Sequence, residues 1–473
     1  MKFFDAVSPF DSRYYGADHT FYSKVHDHLS EEASIRYFLR IEDALVQTLA
    51  QYGFCSEEIS GEVSRACQQV TAAEVYEEEA RIQHNIRALV NSIRKRVSEK
   101  ARGYVHLFAT SNDIMDTAAA LRYKEFTGDI LIPDLVELLR LLSAIARREA
   151  ATIQMGRTHG QHAEPITFGY AIALYVSRLG GRILNMESAR QNLRGKFSGP
   201  VGAHNALYLA LRDRTLQFER DLLARLTLKP SDTGVSSQLV EQEPLTDLVY
   251  SAVSTFGILA NFADDMRQLY RTEIAEVREQ FQPDRVGSST MPHKINPKDF
   301  ENIKSFWKAY MPRFSTVLMD QISEHQRDLT NSASGRFVAE FLAAVDYTVY
   351  RTIKVSKLLE VNHENLKRNI NMSRDSIIAE PLYIILGLHG CPDPYDWSKK
   401  LVNKSRASGR KMTELMEEEP ELREYFSKFT DEERKLINNP ELYTGNAEQV
   451  THATCDYWED RVKNLAQRSE DAK

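Results

Sequence analysis

The spacing of apolar residues between about 131 and 365 constrains this chain more than any other feature. Leu131, Leu135, Leu138, Leu142 and Ile145 recur every three or four residues, and so do Phe300, Ile303, Trp307, Tyr310, Phe314 and Val317. A helix turns once in ~3.6 residues, so each set falls on one face and requires a packing partner. Pro133 suits the first of these helices because it lies in the opening turn. Period-two alternation is scarce, and no self-similarity recurs at a spacing of about 20–50 residues. These features predict an all-α chain with a long central helical bundle.

At 473 residues the chain is too long for one compact core, and roughly three domains are expected. The boundaries follow the change in pattern: an N-terminal helical domain over 1–110, a central long-helix bundle over 111–365, and a small helical C-terminal domain over 366–473. In the last, Glu380-Pro381, Cys391-Pro392-Asp393-Pro394 and Glu417-Glu418-Glu419-Pro420 cut the helices short. A formal net charge of −7 argues against a nucleic-acid binder, and the short basic run Arg94-Lys95-Arg96 is soon interrupted by Glu99. Cys55, Cys67, Cys391 and Cys455 show no CxxC spacing, so free thiols in a reducing compartment are expected, with no zinc site. Met1 to Asp5 lacks the apolar core of a signal peptide, and no stretch reads as the ~20 apolar residues of a membrane span. The expected location is the cytoplasm.

Against this background several polar stretches stand out. Gly287-Ser288-Ser289-Thr290-Met291-Pro292-His293-Lys294-Ile295-Asn296-Pro297 gathers three adjacent hydroxyls, an amine, an imidazole and an amide with a glycine hinge and two prolines. Such a loop can close over a substrate. Asn296 reads as an N-cap, Pro297 as the first helical residue and Asp299 as part of the first turn. The loop's polar groups would then sit at the positive end of a helix, where an anion settles. Asn296-Pro297 alone reads better as an ordinary cap.

Gly156-Arg157-Thr158-His159-Gly160-Gln161-His162-Ala163-Glu164-Pro165 places a histidine on a glycine-bracketed loop, with Pro165 opening the next helix. Thr110-Ser111-Asn112-Asp113 and Ser236-Ser237-Gln238 have the chemistry of helix caps. Gln326 to Arg336 holds two arginines and three hydroxyls, which suits a phosphate or carboxylate and equally a capped helix with surface arginines. Glu78 to Arg96 reads as one charged helix carrying His84-Asn85, and Arg13 by its chemistry alone is a surface charge.

The eleven-residue loop, followed by Asp299-Phe300-Glu301-Asn302, resembles the signature loop of the fumarase/aspartase superfamily. Its form is most similar to the adenylosuccinate lyase family. The 156–165 segment resembles that family's second signature, and Arg13-Tyr14 resembles the N-terminal motif of its bacterial-type branch. Five separated motifs between Ala6 and about Ser408 occur in family order.

The resemblance implies roles residue by residue. Ser288 is the catalytic base, His159 the general acid, and Lys294 holds the substrate carboxylate as its charge grows. Glu301 pairs with His159. Thr110, Ser111, Thr158, Ser289, Met291, Asn296 and Gln238 bind the substrate. Arg13, Tyr14, Arg327, Ser332 and Arg336 take the nucleotide and its phosphate. His84 matches the histidine of a family His-Asp pair, but Asn85 departs from it. A neutral amide does not raise imidazole basicity as a carboxylate does, so His84 is assigned to binding. His162 is a supporting residue.

The implied reaction releases fumarate from adenylosuccinate to give AMP. A second substrate, succinylaminoimidazole carboxamide ribotide (SAICAR), would give AICAR. No metal or organic cofactor is implied, and the active unit is a homotetramer whose sites draw on three chains. The competing readings are a sister lyase acting on argininosuccinate, a catalytically silent helical scaffold, and a nucleic-acid-binding helical protein.

Overall fold

A computed structural model describes residues 6–280 and 288–466. Gly287, the expected hinge of the polar loop, lies outside the described residues. The chain opens with a π-helical turn at Phe10–Tyr15 and five helices, α1 (His19–Leu29), α2 (Glu31–Gln51), α3 (Glu57–Gln69), α4 (Ala72–Ile82) and α5 (Asn85–Arg94). Side chains start most of them. Asp18, Ser30 and Ser56 accept the N–H groups of Phe21, Ala33 and Ile59, and Thr71 forms a capping box with Glu74. The charged helix expected over Glu78 to Arg96 is two helices. Gln83 adopts a left-handed conformation with φ 57° after α4, and the His84 ring accepts the Arg87 N–H to cap α5.

The centre of the molecule is built from α6 (Ser111–Phe126), α7 (Ile132–Arg148), α8 (Phe168–Gln191), α9 (Asn205–Leu211), α10 (Thr215–Arg225), α11 (Glu243–Leu269), α12 (Lys298–Tyr310), α13 (Arg313–Met319) and α14 (Phe337–Lys357). The predicted face of α7 is the buried one: Leu131, Leu135, Leu138, Leu142 and Ile145 are each at most 3% exposed. The second predicted period is interrupted, because Pro312 ends α12 and α13 restarts at Arg313. Proline lacks the N–H that the helix ladder needs and clashes with the preceding turn.

Helix α11 is long and apolar enough to cross a bilayer by length and composition, contrary to the sequence reading. It packs inside the bundle, and 61% of its apolar window is buried by protein.

Two small sheets depart from a purely helical chain. Strands β1 (Ile153–Thr158) and β2 (Gln161–Thr167) form an antiparallel hairpin. Strands β3 (Val277–Glu279) and β4 (Leu359–Val361) pair likewise. The histidine loop is therefore a hairpin, and Pro165 sits in β2. Helix α8 opens at Phe168 behind its cap Thr167.

The C-terminal stretch carries α15 (His363–Ile377), α16 (Ala379–Leu388), α17 (Pro394–Ser408), α18 (Met412–Glu418), α19 (Arg423–Lys428), α20 (Asp431–Asn438) and α21 (Ala447–Ala466). Residues from Ile378 to Ile437 enclose a core of their own, including Leu382, Leu386, Leu401 and Leu422. The last helix returns to the bundle. Cys455 and Val462 of α21 join the main core, where α21 packs on α7 and α8. Gly180 of α8 makes that contact possible, since a Cβ there would run into the Trp458 ring.

Candidate active site

The expected site residues fall into three groups. The first surrounds the N-terminus of α6. Thr110 is its cap, in a capping box with Asp113, whose Oδ2 accepts the Thr110 N–H at 2.8 Å. The Ser111 hydroxyl and its neighbours stand at the positive end of this helix, which favours an anion. Asp113 is fully buried and also receives the Lys196 ammonium, the Ser198 N–H at 3.1 Å and the Gly199 N–H at 3.3 Å. A buried carboxylate needs such partners to remain charged.

That network ties α6 to the glycine-rich turn after α8. The turn in turn meets the segment before α11: Ser198 Oγ lies 2.6 Å from Ser236 Oγ, and Gly202 abuts the Ser236 carbonyl with φ 74°. Two residues on, Gln238 Oε1 accepts the Arg327 guanidinium at 2.7 Å, and the Gln238 N–H reaches the Gln326 carbonyl at 3.3 Å. The structure thus joins Gln238 to Arg327 and links both to the Thr110-Ser111 helix end. Ser236-Ser237-Gln238 does not cap α11, which starts five residues later at Glu243.

Two groups that the sequence reading left unassigned belong here. Asp116, one turn along α6 from Asp113, accepts the Val240 N–H at 3.0 Å and the Asn112 amide at 3.1 Å. Burial pushes its carboxyl up to about 6, against the opposing pull of the Val240 N–H, Lys196, Asn112 and Arg327. His106 pairs with the buried Glu42 carboxylate at 2.6 Å. Burial opposes its charge, yet Glu42 holds the imidazole above its ordinary value. The i, i+3 spacing of Asp113 and Asp116 was a usable signal for the first. No local pattern pointed to Glu42, 64 residues away from His106.

The second group is the tip of the β1–β2 hairpin. Thr158 and Gln161 pair across a two-residue turn of His159 and Gly160, with φ of 54° and 74°. Positive φ at both central residues matches the twist of a two-residue hairpin, but it strains a histidine. Thr158 and His159 are exposed at this tip.

The hairpin base is fixed by Glu276, which is 0% exposed. Its carboxylate accepts Arg157 at 2.6 and 3.2 Å, the Gln154 amide at 2.8 Å and the Asn369 amide at 2.8 Å. His162 Nδ1 lies 2.7 Å from Ser373 Oγ on α15.

The third group is the polar loop leading into α12. Ser288 Oγ accepts the N–H groups of Met291 at 3.1 Å and Thr290 at 3.4 Å. Ser289, Met291 and Lys294 are exposed along the same loop, and the Lys294 N–H closes a turn on the Met291 carbonyl at 2.9 Å. Helix α12 begins at Lys298 with Pro297 in the cap position, so Asn296 stands one residue before the cap it was expected to be. Glu301 was expected to pair with His159. Within one chain its carboxylate instead lies 3.9 Å from the Arg267 guanidinium at the end of α11.

The residues expected to take the nucleotide are dispersed. Tyr14 packs its ring 4.7 Å from Phe306 and 5.5 Å from Tyr347, while Arg13 beside it is exposed. Ser332 and Arg336 are exposed on the turn that precedes α14. His84 serves as the α5 cap. Among the described residues no three His, Cys, Asp or Glu side chains gather into a metal-ligand set.

Residues 12–308 match the Lyase family model, and residues 323–432 match the model described as Adenylosuccinate lyase C-terminal. The adenylosuccinate lyase of Pyrococcus abyssi is 32% identical over 96% of this chain and 98% of its own length. The chain belongs to the adenylosuccinate lyase family.

Family relatives from Methanocaldococcus jannaschii and Aquifex aeolicus are 30% and 28% identical, over 94% and 89% of this chain and 94% of each protein. The relatives named here at 30% identity or more are archaeal, which gives the expected bacterial-type branch no support. Among solved structures, a fumarate lyase from Mesorhizobium sp. BNC1 superposes with a TM-score of 0.79 at 23% identity, covering 92% of this chain and 97% of that one. A 3-carboxy-cis,cis-muconate lactonizing enzyme from Pseudomonas putida gives 0.79 at 23%, covering 93% and 98%. At these identities they establish the fumarase/aspartase-like helical fold.

Proposed function

We propose that this chain eliminates fumarate from adenylosuccinate to leave AMP, and from SAICAR to leave AICAR, as a step of purine biosynthesis. The observation that carries the reading is the end-to-end similarity to proteins named adenylosuccinate lyase, 32% identical over 461 residues. The archaeal relatives give no reason to carry the bacterial-type branch into this proposal.

The reaction removes a weakly acidic proton next to a carboxylate and breaks a C–N bond, so the barrier lies in the carbanion. Ser288 is the proposed base. Its hydroxyl must first lose a proton, and two backbone N–H groups already point at its Oγ, from Thr290 and Met291. Donors aimed at an oxyanion stabilise it without reorganisation. Lys294, on the same loop, supplies positive charge to the carboxylate into which the carbanion's charge spreads. His159 donates the proton that the leaving nitrogen takes.

Thr110, Ser111 and Gln238 form a polar seat for the substrate's succinyl carboxylates at a helix N-terminus, and Arg327, held by Gln238 at 2.7 Å, is proposed for the nucleotide beside it. Thr158, Ser289, Met291, Asn296 and His84 line the same substrate. Arg13, Tyr14, Ser332 and Arg336 are proposed for the nucleotide and its phosphate.

The proposed acid, base and seat come from three places in one chain, and Glu301 faces Arg267 rather than His159. A homotetramer in which three chains complete each site accounts for both facts. Exposed apolar side chains on the central helices, Tyr170 and Leu174 of α8 and Tyr250 of α11, offer surface for that assembly. Four free cysteines agree with a cytoplasmic location.

Turnover of adenylosuccinate, SAICAR and argininosuccinate should be compared on one preparation, with light scattering in parallel. The expected result is release of fumarate from the first two by a tetramer, with activity lost on dilution to monomers. Turnover of argininosuccinate alone, or full activity in the monomer, overturns the corresponding part.

A further inference from the structure

Asp116 sits where the carboxylate seat is held together rather than where it meets a ligand. It lies on the second turn of α6, the helix whose end carries Thr110 and Ser111. Its Oδ2 accepts the backbone N–H of Val240 at 3.0 Å, and its Oδ1 accepts the Asn112 side chain at 3.1 Å. Val240 is two residues beyond Gln238, and Gln238 holds Arg327 at 2.7 Å. One carboxylate thus fixes the backbone from which Gln238 projects, and through Gln238 it fixes the guanidinium.

The charged groups facing Asp116 are Lys196, from the turn after α8, and Arg327, from the segment after α13. Asp113 on the same helix already accepts the Lys196 ammonium, and Glu241 lines a small cavity with Lys196 and Val240.

We propose that Asp116 is a positioning residue whose ionised carboxylate clamps the 238–240 backbone, presetting Gln238 and Arg327 for the substrate, and that protonation loosens the clamp. The ionised form makes two hydrogen bonds of the charge-assisted kind and attracts both cations, whereas the neutral acid gives up that strength. Burial places this carboxyl at about 6 against an ordinary 3.8. The Val240 N–H and the Asn112 amide favour the ionised form, so with the carboxyl still enclosed by the fold, ionisation tightens the clamp and protonation, as pH falls through that value, loosens it. This inference rests on the lyase reading for its kinetic readout, though not for its structural one.

The test measures kcat and KM for adenylosuccinate from pH 5 to 8 in the wild type, Asp116→Asn and Asn112→Ala, with amide exchange of residues 236–242. In the wild type KM should rise about tenfold below pH 6 while kcat changes less, the loss of about one charge-assisted bond. Asp116→Asn should show the raised KM at every pH, with faster exchange across 236–242. Asn112→Ala removes a donor that favours the ionised form, so its KM limb should move to higher pH.

Should Asp116→Asn fail to fold, the position of the Asn112→Ala limb decides. A wild-type KM limb that persists unchanged in Asp116→Asn overturns the proposal, as does a limb that Asn112→Ala leaves in place. Absence of wild-type turnover would instead refute the lyase reading, and the exchange comparison then decides Asp116: faster exchange in Asp116→Asn upholds the clamp and unchanged exchange overturns it.

Discussion

Replacing Glu276 with alanine deletes one carboxylate and removes four hydrogen bonds. Arg157 loses contacts at 2.6 and 3.2 Å, while Gln154 and Asn369 each lose one at 2.8 Å. Glu276 is 0% exposed and the Arg157 side chain 16%, so the freed guanidinium is largely withheld from water. Breaking a buried ion pair from one side costs about 3–5 kcal/mol, most of it the penalty for the unpaired charge. The two amides share the same pocket, so their losses do not simply add.

The cost should fall on local opening of the β1–β2 hairpin. Glu276 joins that hairpin to the segment before β3 and to α15, so the rest of the bundle can stay folded when it opens. At tenfold per ~1.4 kcal/mol, amides of residues 153–167 should exchange roughly 150- to 5,000-fold faster than in the wild type. Since His159 rides on the tip of this hairpin, kcat should fall as well, with KM affected less. Hydrogen exchange read by mass spectrometry checks this directly. Exchange of 153–167 within threefold of the wild type would refute the claim that Glu276 holds the hairpin.

A second perturbation concerns Asp346, fully buried on α14 with no hydrogen-bond partner on either carboxylate oxygen among the described residues. Burial pushes its carboxyl up to about 6, with Lys24 pulling the other way. A raised carboxyl favours the folded state below the unfolded pKa, and that contribution is lost as pH rises from about 4 through 6. Asp346→Asn should therefore stabilise the protein by up to about 3 kcal/mol at pH 7 and by almost nothing near pH 3, as checked by urea unfolding. Gly202→Ala addresses the seat: its left-handed φ of 74° and the Ser236 carbonyl beside it leave no room for a Cβ. A displaced 236–238 segment should raise KM severalfold, with a loss of about 1 kcal/mol or more in stability; an unchanged KM would contradict the packing.

How much of this was legible in the sequence depended on how locally each feature is determined. The apolar period of α7 is a property of fifteen adjacent residues, and its buried face follows from it. The caps of α2, α3 and α6 are equally local. The break at Pro312 was present in the sequence, but the surrounding period outweighed it.

The His159 hairpin reads as a loop in the sequence because Gly156, Gly160 and Pro165 punctuate it. Gly156 interrupts β1 at a register shift, and a two-residue turn of His-Gly lacks the usual Asn-Gly signature. The polar networks beneath the site were beyond sequence reasoning. Glu276 meets Gln154 across 122 positions, and Lys196 meets Asp113 across 83. Such pairs are created by tertiary packing and leave no periodic trace. The candidate residues that were found owe their assignment to resemblance in motif, while the residues that hold them in place had to come from geometry.

The central claim is a fumarate-releasing lyase with Ser288 as its base. It is tested most directly by the ultraviolet spectrum of adenylosuccinate mixed with wild-type protein or with Ser288→Ala, fumarate being assayed in parallel. The account predicts stoichiometric AMP and fumarate from the wild type, and kcat lower by about 10²–10⁴-fold in Ser288→Ala, the range for loss of a general base. A wild-type tetramer that leaves adenylosuccinate intact, or a Ser288→Ala protein that turns it over at the wild-type rate, would contradict it.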